Sequence, residues 1–348
     1  MRVRDVSPGP IFPDEGPRGA RVIRRVRGIA VEVLAFVVLT ALLPVALLVA
    51  LVVDLALWLR SRKPLMAVRL VLMAWWFLLG ELRGISTLAW LYVSSFGRDT
   101  DRRRRGVYNL RIGWASQHLA GIRVLFGLRF ESEGLDQAGP GPVVILIRHA
   151  SIVDNMLGDA VLARRHGLGL RYVIKRELQL LPTIDIGGRW IPTNFVRRAS
   201  GDTEAELTRL RRLAEHLGSE GILIYPEGTR FTAAKLARAQ EIVRERQPEV
   251  APLAACLQNI LPPRLGGPLA LLDAAQGTDV VLFGHVGLDG FEYISDIWRG
   301  GLVGSTVKLR CWRFGAAEVP RSEEALTRWL YDRWQQLDDW VGEQRAAA

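Results

Sequence analysis

Residues 33–53, VLAFVVLTALLPVALLVALVV, run for 21 positions without a charged side chain. A helix rises ~1.5 Å per residue, so this run is long enough to cross the ~30 Å hydrocarbon core of a bilayer. Seven arginines precede it (Arg2, Arg4, Arg18, Arg21, Arg24, Arg25 and Arg27), and no small-residue cleavage site is clear, so a signal peptide fits poorly. The other reading of the run is a buried core helix. A second apolar stretch, residues 65–96, is interrupted by Arg69, Glu81 and Arg83 and carries Trp75, Trp76, Trp90 and Tyr92. Internal charges and aromatics suit a helix at the headgroup level or a returning span. Arg102 to Arg105 then form a basic cluster suited to anionic lipid headgroups, or to plain solvation.

The rest of the 348 residues leave room for one large α/β domain plus an appendage, or for two modest domains. The net charge of +10 suits an anionic membrane or a phosphorylated substrate. No zinc-finger spacing or RNA-binding motif is present, so no nucleic-acid partner is expected. Cys256 and Cys311 are far apart and belong to no metal motif, which fits a reducing compartment. There is no phosphate-binding P-loop, no dinucleotide fingerprint and no Gly-x-Ser-x-Gly elbow.

Five segments follow from the patterning: a flexible basic tail (1–27), hydrophobic membrane helices (28–96), a basic linker and helix (97–125), a catalytic-type α/β domain (126–320) and a C-terminal amphipathic helix (321–348). Strands are expected near 122–131, 143–147, 172–174, 194–196, 221–225, 278–286 and 305–314, with helices near 106–121, 152–165, 203–217, 233–246 and 322–345. Strands alternating with helices predict an α/β fold. Its sheet is mainly parallel or mixed and flanked by helices, with an N-terminal hydrophobic, membrane-associated helical region.

Four of these strands stop in charge. Ile147 runs into Arg148-His149, Ile174 into Lys175-Arg176-Glu177, Val196 into Arg197-Arg198, and Tyr225 into Pro226-Glu227-Gly228-Thr229-Arg230. Ligands of open α/β sheets bind beyond the carboxyl ends of the strands. If the four strands are parallel, the tips share one rim whose cations can hold a phosphate. On that rim His149 precedes Asp154 by five residues. A turn lets the carboxylate reach back to Nδ1 of the imidazole, the arrangement that makes a general base. No enzyme serine is placed as nucleophile, so the substrate is expected to bring its own hydroxyl to an activated acyl carbonyl. The alternative is a structural pair capping a helix. Arg230 is the candidate phosphate ligand, and Gly228 allows close backbone approach. Glu227 orients Arg230 or accepts from a substrate hydroxyl; beside a phosphate it must be paired with a cation or aimed away.

These residues resemble the glycerolipid acyltransferase family, which includes 1-acylglycerol-3-phosphate acyltransferases. His149 and Asp154 meet its His-x4-Asp block, and Pro226 to Arg230 meet its Pro-Glu-Gly-Thr-Arg block. The second block, usually Phe-Ile-Asp-Arg, reads Phe195-Val196-Arg197-Arg198 here, so only Arg198 carries over. Lys175-Arg176-Glu177-Leu178 is similar to the Lys-x-Glu-Leu segment leading into it. Lys235, Pro263-Arg264, Gly267, Trp329-Leu330-Tyr331 and Trp334 resemble the subgroup of lysophosphatidate and lysocardiolipin acyltransferases. Arg148 replaces the Asn that many members carry, which bears on headgroup choice.

The resemblance implies His149 and Asp154 as catalytic residues, and Glu227, Gly228, Thr229, Arg230, Arg198 and Lys175 as substrate-binding residues. It implies no metal and no cofactor, with acyl-CoA or acyl-carrier protein as co-substrate. The expected reaction moves a fatty acyl group to the free hydroxyl of a lysophospholipid, foremost 1-acylglycerol 3-phosphate. Glycerol 3-phosphate, lysocardiolipin or another lyso-lipid is the alternative acceptor, and a non-catalytic anionic-lipid-binding membrane protein is the rival class. Arginines on both flanks of the hydrophobic pair place the catalytic domain on the cytoplasmic face of a bacterial inner membrane.

Overall fold

The uncharged run lies inside a single 44-residue helix, α1 (Arg18–Ser61), which turns back into α2 (Met66–Ser94). The computed structural model describes residues 1–13, 16–62, 64–196, 204–289 and 294–347. A helix leaves its first backbone N–H groups without intrahelical acceptors. In α2 they are met from α1: the buried Asp54 carboxylate accepts from the N–H groups of Met66 (3.0 Å), Ala67 (2.9 Å) and Val68 (2.9 Å). The hairpin is therefore closed by one acid at the end of the uncharged run 33–53. Among the described residues, α1 is the one helix long and apolar enough to cross a membrane. Val33, Leu34, Val37, Leu48 and Leu59 on it are exposed. At its other end Arg24 and Arg25 each reach Asp185 at 2.9 Å, tying the hairpin to the short helix Pro182–Gly187 beyond the third strand.

The basic helix is longer than its pattern predicts. It runs as α3 over Asp101–Phe126, with the Thr100 side chain accepting from Arg103 N–H at its start and Gly127 at φ 69° ending it. The strand expected from residue 122 therefore begins only at Arg129: glycine reaches the left-handed region without a Cβ penalty, so the helix stops there. Helix α2 packs on α3 where side chains are small. Gly80 lies against His118, Gly121 lies against Trp76, and the Trp76 indole donates to the Gln117 carbonyl at 2.8 Å.

Seven strands follow: β1 (Arg129–Glu133), β2 (Val143–Ile147), β3 (Leu170–Lys175), β4 (Thr193–Val196), β5 (Gly221–Ile224), β6 (Asp279–Val286) and β7 (Thr306–Phe314). They form one mixed sheet in the order β1-β7-β6-β2-β5-β3-β4. Strands β6, β2, β5, β3 and β4 are mutually parallel; β7 runs antiparallel to β6, and β1 parallel to β7. Every residue of β2 and β5 is buried, as expected of parallel strands covered on both faces. Val143, Ile145 and Ile147 of β2 join the core shared with α3, and Val144 and Leu146 join the opposite core. The C-terminal helix Glu323–Ala346 covers that second core with Leu330, Trp334 and Leu337.

Of the flexible basic tail expected over residues 1–27, residues 18–27 begin α1 and residues 1–13 contact the domain. Val3 and Phe12 are buried in the two cores, and Ser7 donates its N–H to Glu220 Oε1 (3.1 Å) and its hydroxyl to the Leu217 carbonyl (3.1 Å). Two apolar anchors in a polar segment suffice to dock it, and composition averages them away.

Candidate active site

Adjacent parallel strands lie ~4.8 Å apart, so the carboxyl tips of β2 and β5 are immediate neighbours. The chain leaves β2 at Arg148-His149, then makes a 3₁₀ turn, Val153–Met156, that carries Asp154. The expected helix over 152–165 is this turn followed by a π-helical run, Gly158–Ala163. The turn brings the acid back. Nδ1 of His149 lies 3.1 Å from Asp154 Oδ1 and 3.2 Å from Oδ2. Oδ2 also accepts from the N–H groups of Ala150 and Ser151, each at 2.7 Å. Asp154 is fully buried; burial raises its carboxyl, but His149 and His285 beside it outweigh that and hold it well below the usual carboxylate range. Nε2 of His149 makes no hydrogen bond to any described residue and is the nitrogen left for a substrate.

The Pro226–Arg230 turn docks on this loop through backbone. Phe231 N–H donates to the His149 carbonyl at 2.9 Å, and Arg264 N–H donates to the Pro226 carbonyl at 2.9 Å. Gly228 has φ 65°, and a Cβ there would stand 3.0 Å from Cδ and Nε of Arg264. The missing side chain thus admits the exposed Arg264 across the turn. Thr229 and Arg230 are half-buried beside it, and the Arg230 carbonyl accepts from Lys235 Nζ at 3.1 Å.

Glu227 differs from the expectation that it serves the substrate. It is turned inward and is 2% exposed: one oxygen accepts from His149 N–H (2.7 Å), the other from Leu261 N–H (3.1 Å). Burial pushes its carboxyl up to about 8, against the pull of Arg148 and of the two backbone donors. Glu227 is thus a strut joining the His149 loop to the Leu261 loop. A buried acid beside an anion site has to be aimed away, and this one is.

Arg148 also leaves the rim. It is fully buried and donates to the His285 carbonyl (2.6 Å) and to Asp289 (2.5 Å), which Arg345 of the C-terminal helix also reaches at 2.8 Å. Lys175 ends β3, two strands from β2 and so ~10 Å along the rim. Arg198 lies outside the described residues. The structure therefore brings together His149, Asp154, Gly228, Thr229 and Arg230, adds Glu227 from beneath, and sets Lys175 to one side.

Three contributors escaped the sequence reading. The Tyr225 hydroxyl donates to the Asp154 carbonyl (3.2 Å), and its ring centroid lies 4.5 Å from that of His149. An aromatic immediately after a buried strand, next to a charged turn, was the available signal. Asp338 of the C-terminal helix accepts from the N–H groups of Gln258 (3.1 Å), Asn259 (2.6 Å) and Ile260 (2.9 Å), shaping the loop that delivers Leu261 to Glu227. His285, on β6, brings Nε2 to 3.5 Å from Asp154 Oδ2. Neither Asp338 nor His285 carries a local signal.

Comparison with known proteins shows what the chain is similar to. Residues 129–254 match the acyltransferase family model. The chain is similar to mouse (Mus musculus) 1-acyl-sn-glycerol-3-phosphate acyltransferase gamma, 28% identical over 210 residues, which covers 59% of this chain and 54% of that one. It is similar to Arabidopsis thaliana 1-acyl-sn-glycerol-3-phosphate acyltransferase 3, 25% identical over 259 residues, covering 71% of this chain and 66% of the other. The chain spans about half the length of the mouse proteins it matches. In fold it is similar to the crystal structure of the 1-acyl-sn-glycerophosphate (LPA) acyltransferase PlsC from Thermotoga maritima. That match has a TM-score of 0.51 and 14% identity, and covers 79% of this chain and 96% of that one. The residues that match the acyltransferase family model, 129–254, include the His149–Asp154 pair and the Pro-Glu-Gly-Thr-Arg turn on one rim.

Proposed function

We propose that this protein is a membrane-bound acyltransferase that moves a fatty acyl group from a thioester, acyl-CoA or acyl-carrier protein, to the free hydroxyl of a lysophospholipid, foremost 1-acylglycerol 3-phosphate. One observation carries the reading: Asp154 holds Nδ1 of His149 at 3.1 Å, and Nε2 meets no described residue. An imidazole so held takes a proton at Nε2 from a hydroxyl that the substrate supplies. The substrate oxygen then attacks the thioester carbonyl. The tetrahedral intermediate collapses, expelling thiolate, and the imidazolium returns the proton to sulfur. The names of the relatives, all 1-acyl-sn-glycerol-3-phosphate acyltransferases, support that acceptor.

Arg230, two residues beyond Gly228 on the same turn, is placed to hold the acceptor phosphate; Arg198 and Lys175 belong to the same reading further along the rim. Helix α1 supplies the membrane attachment, with the catalytic domain at the cytoplasmic face of a bacterial inner membrane. Anionic lipid headgroups have a separate place. The Arg102–Arg105 cluster divides: Arg103 donates to the Gly97 carbonyl and Arg104 pairs with Asp99, whereas Arg102 and Arg105 join Arg2 and Arg4 around a groove of about 730 Å³ floored by Val3 and Leu91. Cosedimentation with anionic but not zwitterionic vesicles, weakened by Arg102→Ser plus Arg105→Ser, checks this assignment.

The test of function is thiol release by membranes carrying the full-length protein, with acyl-CoA or acyl-carrier protein as donor. The acceptors are 1-acylglycerol 3-phosphate, glycerol 3-phosphate and lysocardiolipin in turn. Release is expected to depend on acceptor, to be fastest with 1-acylglycerol 3-phosphate, and to fall ~10²- to 10⁴-fold in His149→Ala. Release with none of the acceptors sinks the enzyme reading and favours a lipid-binding protein. A faster rate with another acceptor reassigns the substrate.

A further inference from the structure

Asp154 has more neighbours than a histidine–aspartate pair requires. Strand β6 lies beside β2 in parallel register, with Ile147 opposite Phe283. Two residues further along each strand, His285 comes level with His149. Its side chain falls on the same face as Phe283, because strand side chains alternate. His285 is fully buried, where an imidazole is costly unless its polar atoms are paired. Its Nε2 lies 3.0 Å from the Arg148 carbonyl and 3.5 Å from Asp154 Oδ2. The first contact is a hydrogen bond donated to the peptide immediately before His149. The second sets the positive edge of the same N–H against the carboxylate. Nδ1 has no partner among the described residues, which fits a neutral ring protonated at Nε2.

We propose that His285 is a positioning residue of this site: through Nε2–H it pins the Arg148 carbonyl and flanks the Asp154 carboxylate, so that Asp154 meets Nδ1 of His149 squarely. This rests on the acyl-transfer reading above. The arrangement makes Asp154 the centre of three kinds of support. Backbone donors from Ala150 and Ser151 hold Oδ2, His149 faces both oxygens, and His285 Nε2 adds a third approach to Oδ2 at 3.5 Å. Asp289 pairs with both Arg148 and Arg345 on the far side of the Arg148 side chain. A residue that touches only the acid and the peptide before the base influences turnover and leaves acceptor recognition alone.

The experiment compares His285→Leu and His285→Gln with wild type in the full-length protein. Leucine removes the donor, whereas glutamine keeps an N–H that can reach the Arg148 carbonyl. Misplacing reacting groups by a fraction of an ångström to one ångström costs up to ~10²-fold in rate, so kcat should fall ~10- to 10²-fold in His285→Leu and recover most of the way in His285→Gln. KM for acceptor and donor should stay within about twofold of wild type in both. A folded His285→Leu protein with near wild-type kcat overturns the proposal. So does a glutamine variant no better than leucine, or a change confined to acceptor KM. Should the leucine variant not fold, long-range ¹H–¹⁵N spectra of the histidines in the wild-type protein decide. A neutral ring protonated at Nε2 supports the assignment, and an unprotonated Nε2 refutes it. Wild type that releases thiol with no acceptor defeats the acyl-transfer reading, and the spectra still decide whether His285 makes this contact.

Discussion

Replacing Asp154 by Asn separates what the acid does for chemistry from what it does for the fold. Oδ2 accepts two backbone N–H groups, from Ala150 and Ser151 at 2.7 Å each, so the amide oxygen of Asn must take that position. The amide NH₂ then occupies the place of Oδ1, 3.1 Å from Nδ1 of His149. A donor facing Nδ1 favours the tautomer that carries its proton on Nε2. That nitrogen can no longer accept the proton of a substrate hydroxyl. In serine hydrolases the equivalent change lowers kcat ~10⁴-fold, which corresponds to ~5.4 kcal/mol of transition-state stabilisation. Both backbone bonds survive, so Asp154→Asn should melt within a few degrees of wild type. Asp154→Ala is the contrast: it orphans two buried N–H groups at about 1–3 kcal/mol each and opens a cavity, so it should lose stability as well as activity. The assay is continuous thiol release for kcat and KM, with thermal melting of the same detergent-solubilised samples. An Asn variant that keeps more than about a tenth of wild-type kcat refutes the tautomer argument. Equal loss of melting temperature in the Asn and Ala variants refutes the assignment of Oδ2 to the backbone.

Three further expectations concern the turn after β5, and a fourth concerns Arg198. Glu227→Gln puts an amide donor against either His149 N–H or Leu261 N–H, since both oxygens are in use; it should cost about 1–3 kcal/mol in unfolding free energy and slow turnover by shifting the His149 loop. The Glu227 carboxyl, raised from 4.5 to about 8, keeps a proton in the folded chain that the unfolded chain has already lost. Its stabilising contribution is therefore complete below about pH 4.5 and is lost as pH rises towards about 8, at ~1.4 kcal/mol per pH unit. Melting temperature should fall over that window in wild type and less steeply in Glu227→Gln; parallel curves would show that another group titrates. Arg230→Lys keeps the charge but loses the planar fork that meets two phosphate oxygens, so acceptor KM should rise with donor KM unchanged. An acceptor without a phosphomonoester should be insensitive to that change, and equal damage with both acceptors would assign Arg230 to the fold or the donor. Arg198→Lys should act in the same direction, more weakly.

How much of this was legible before folding follows from how far apart the interacting residues lie in the chain. His149 and Asp154 are five residues apart, and a single turn joins them, so residue types and spacing sufficed. The runs 143–147 and 221–224 are aliphatic throughout because both faces of those strands are covered, and that pattern predicts parallel strands with aligned carboxyl tips. The uncharged run 33–53 announced a long helix in the same local way, and α1 contains it. By contrast, α3 continues to Phe126 because its packing on α2 and the glycine at 127 decide where it ends.

The directions of the charged side chains were decided in three dimensions. Arg148 sits next to His149, yet its guanidinium is drawn away to a carbonyl 137 residues later and to Asp289. Glu227 stands in the motif that suggested a substrate contact, but the backbone donors it serves belong to loops 78 and 34 residues away. Likewise, His285 reaches Asp154 only because β6 is laid beside β2. Sequence determines which strands are buried, where they stop and which chemical groups stand at their tips, because hydrophobic periodicity and turn geometry act over a few residues. Which of those groups face the substrate and which face each other is determined by the order of strands in the sheet. That order pairs strands far apart in the chain, and no short stretch of sequence contains it.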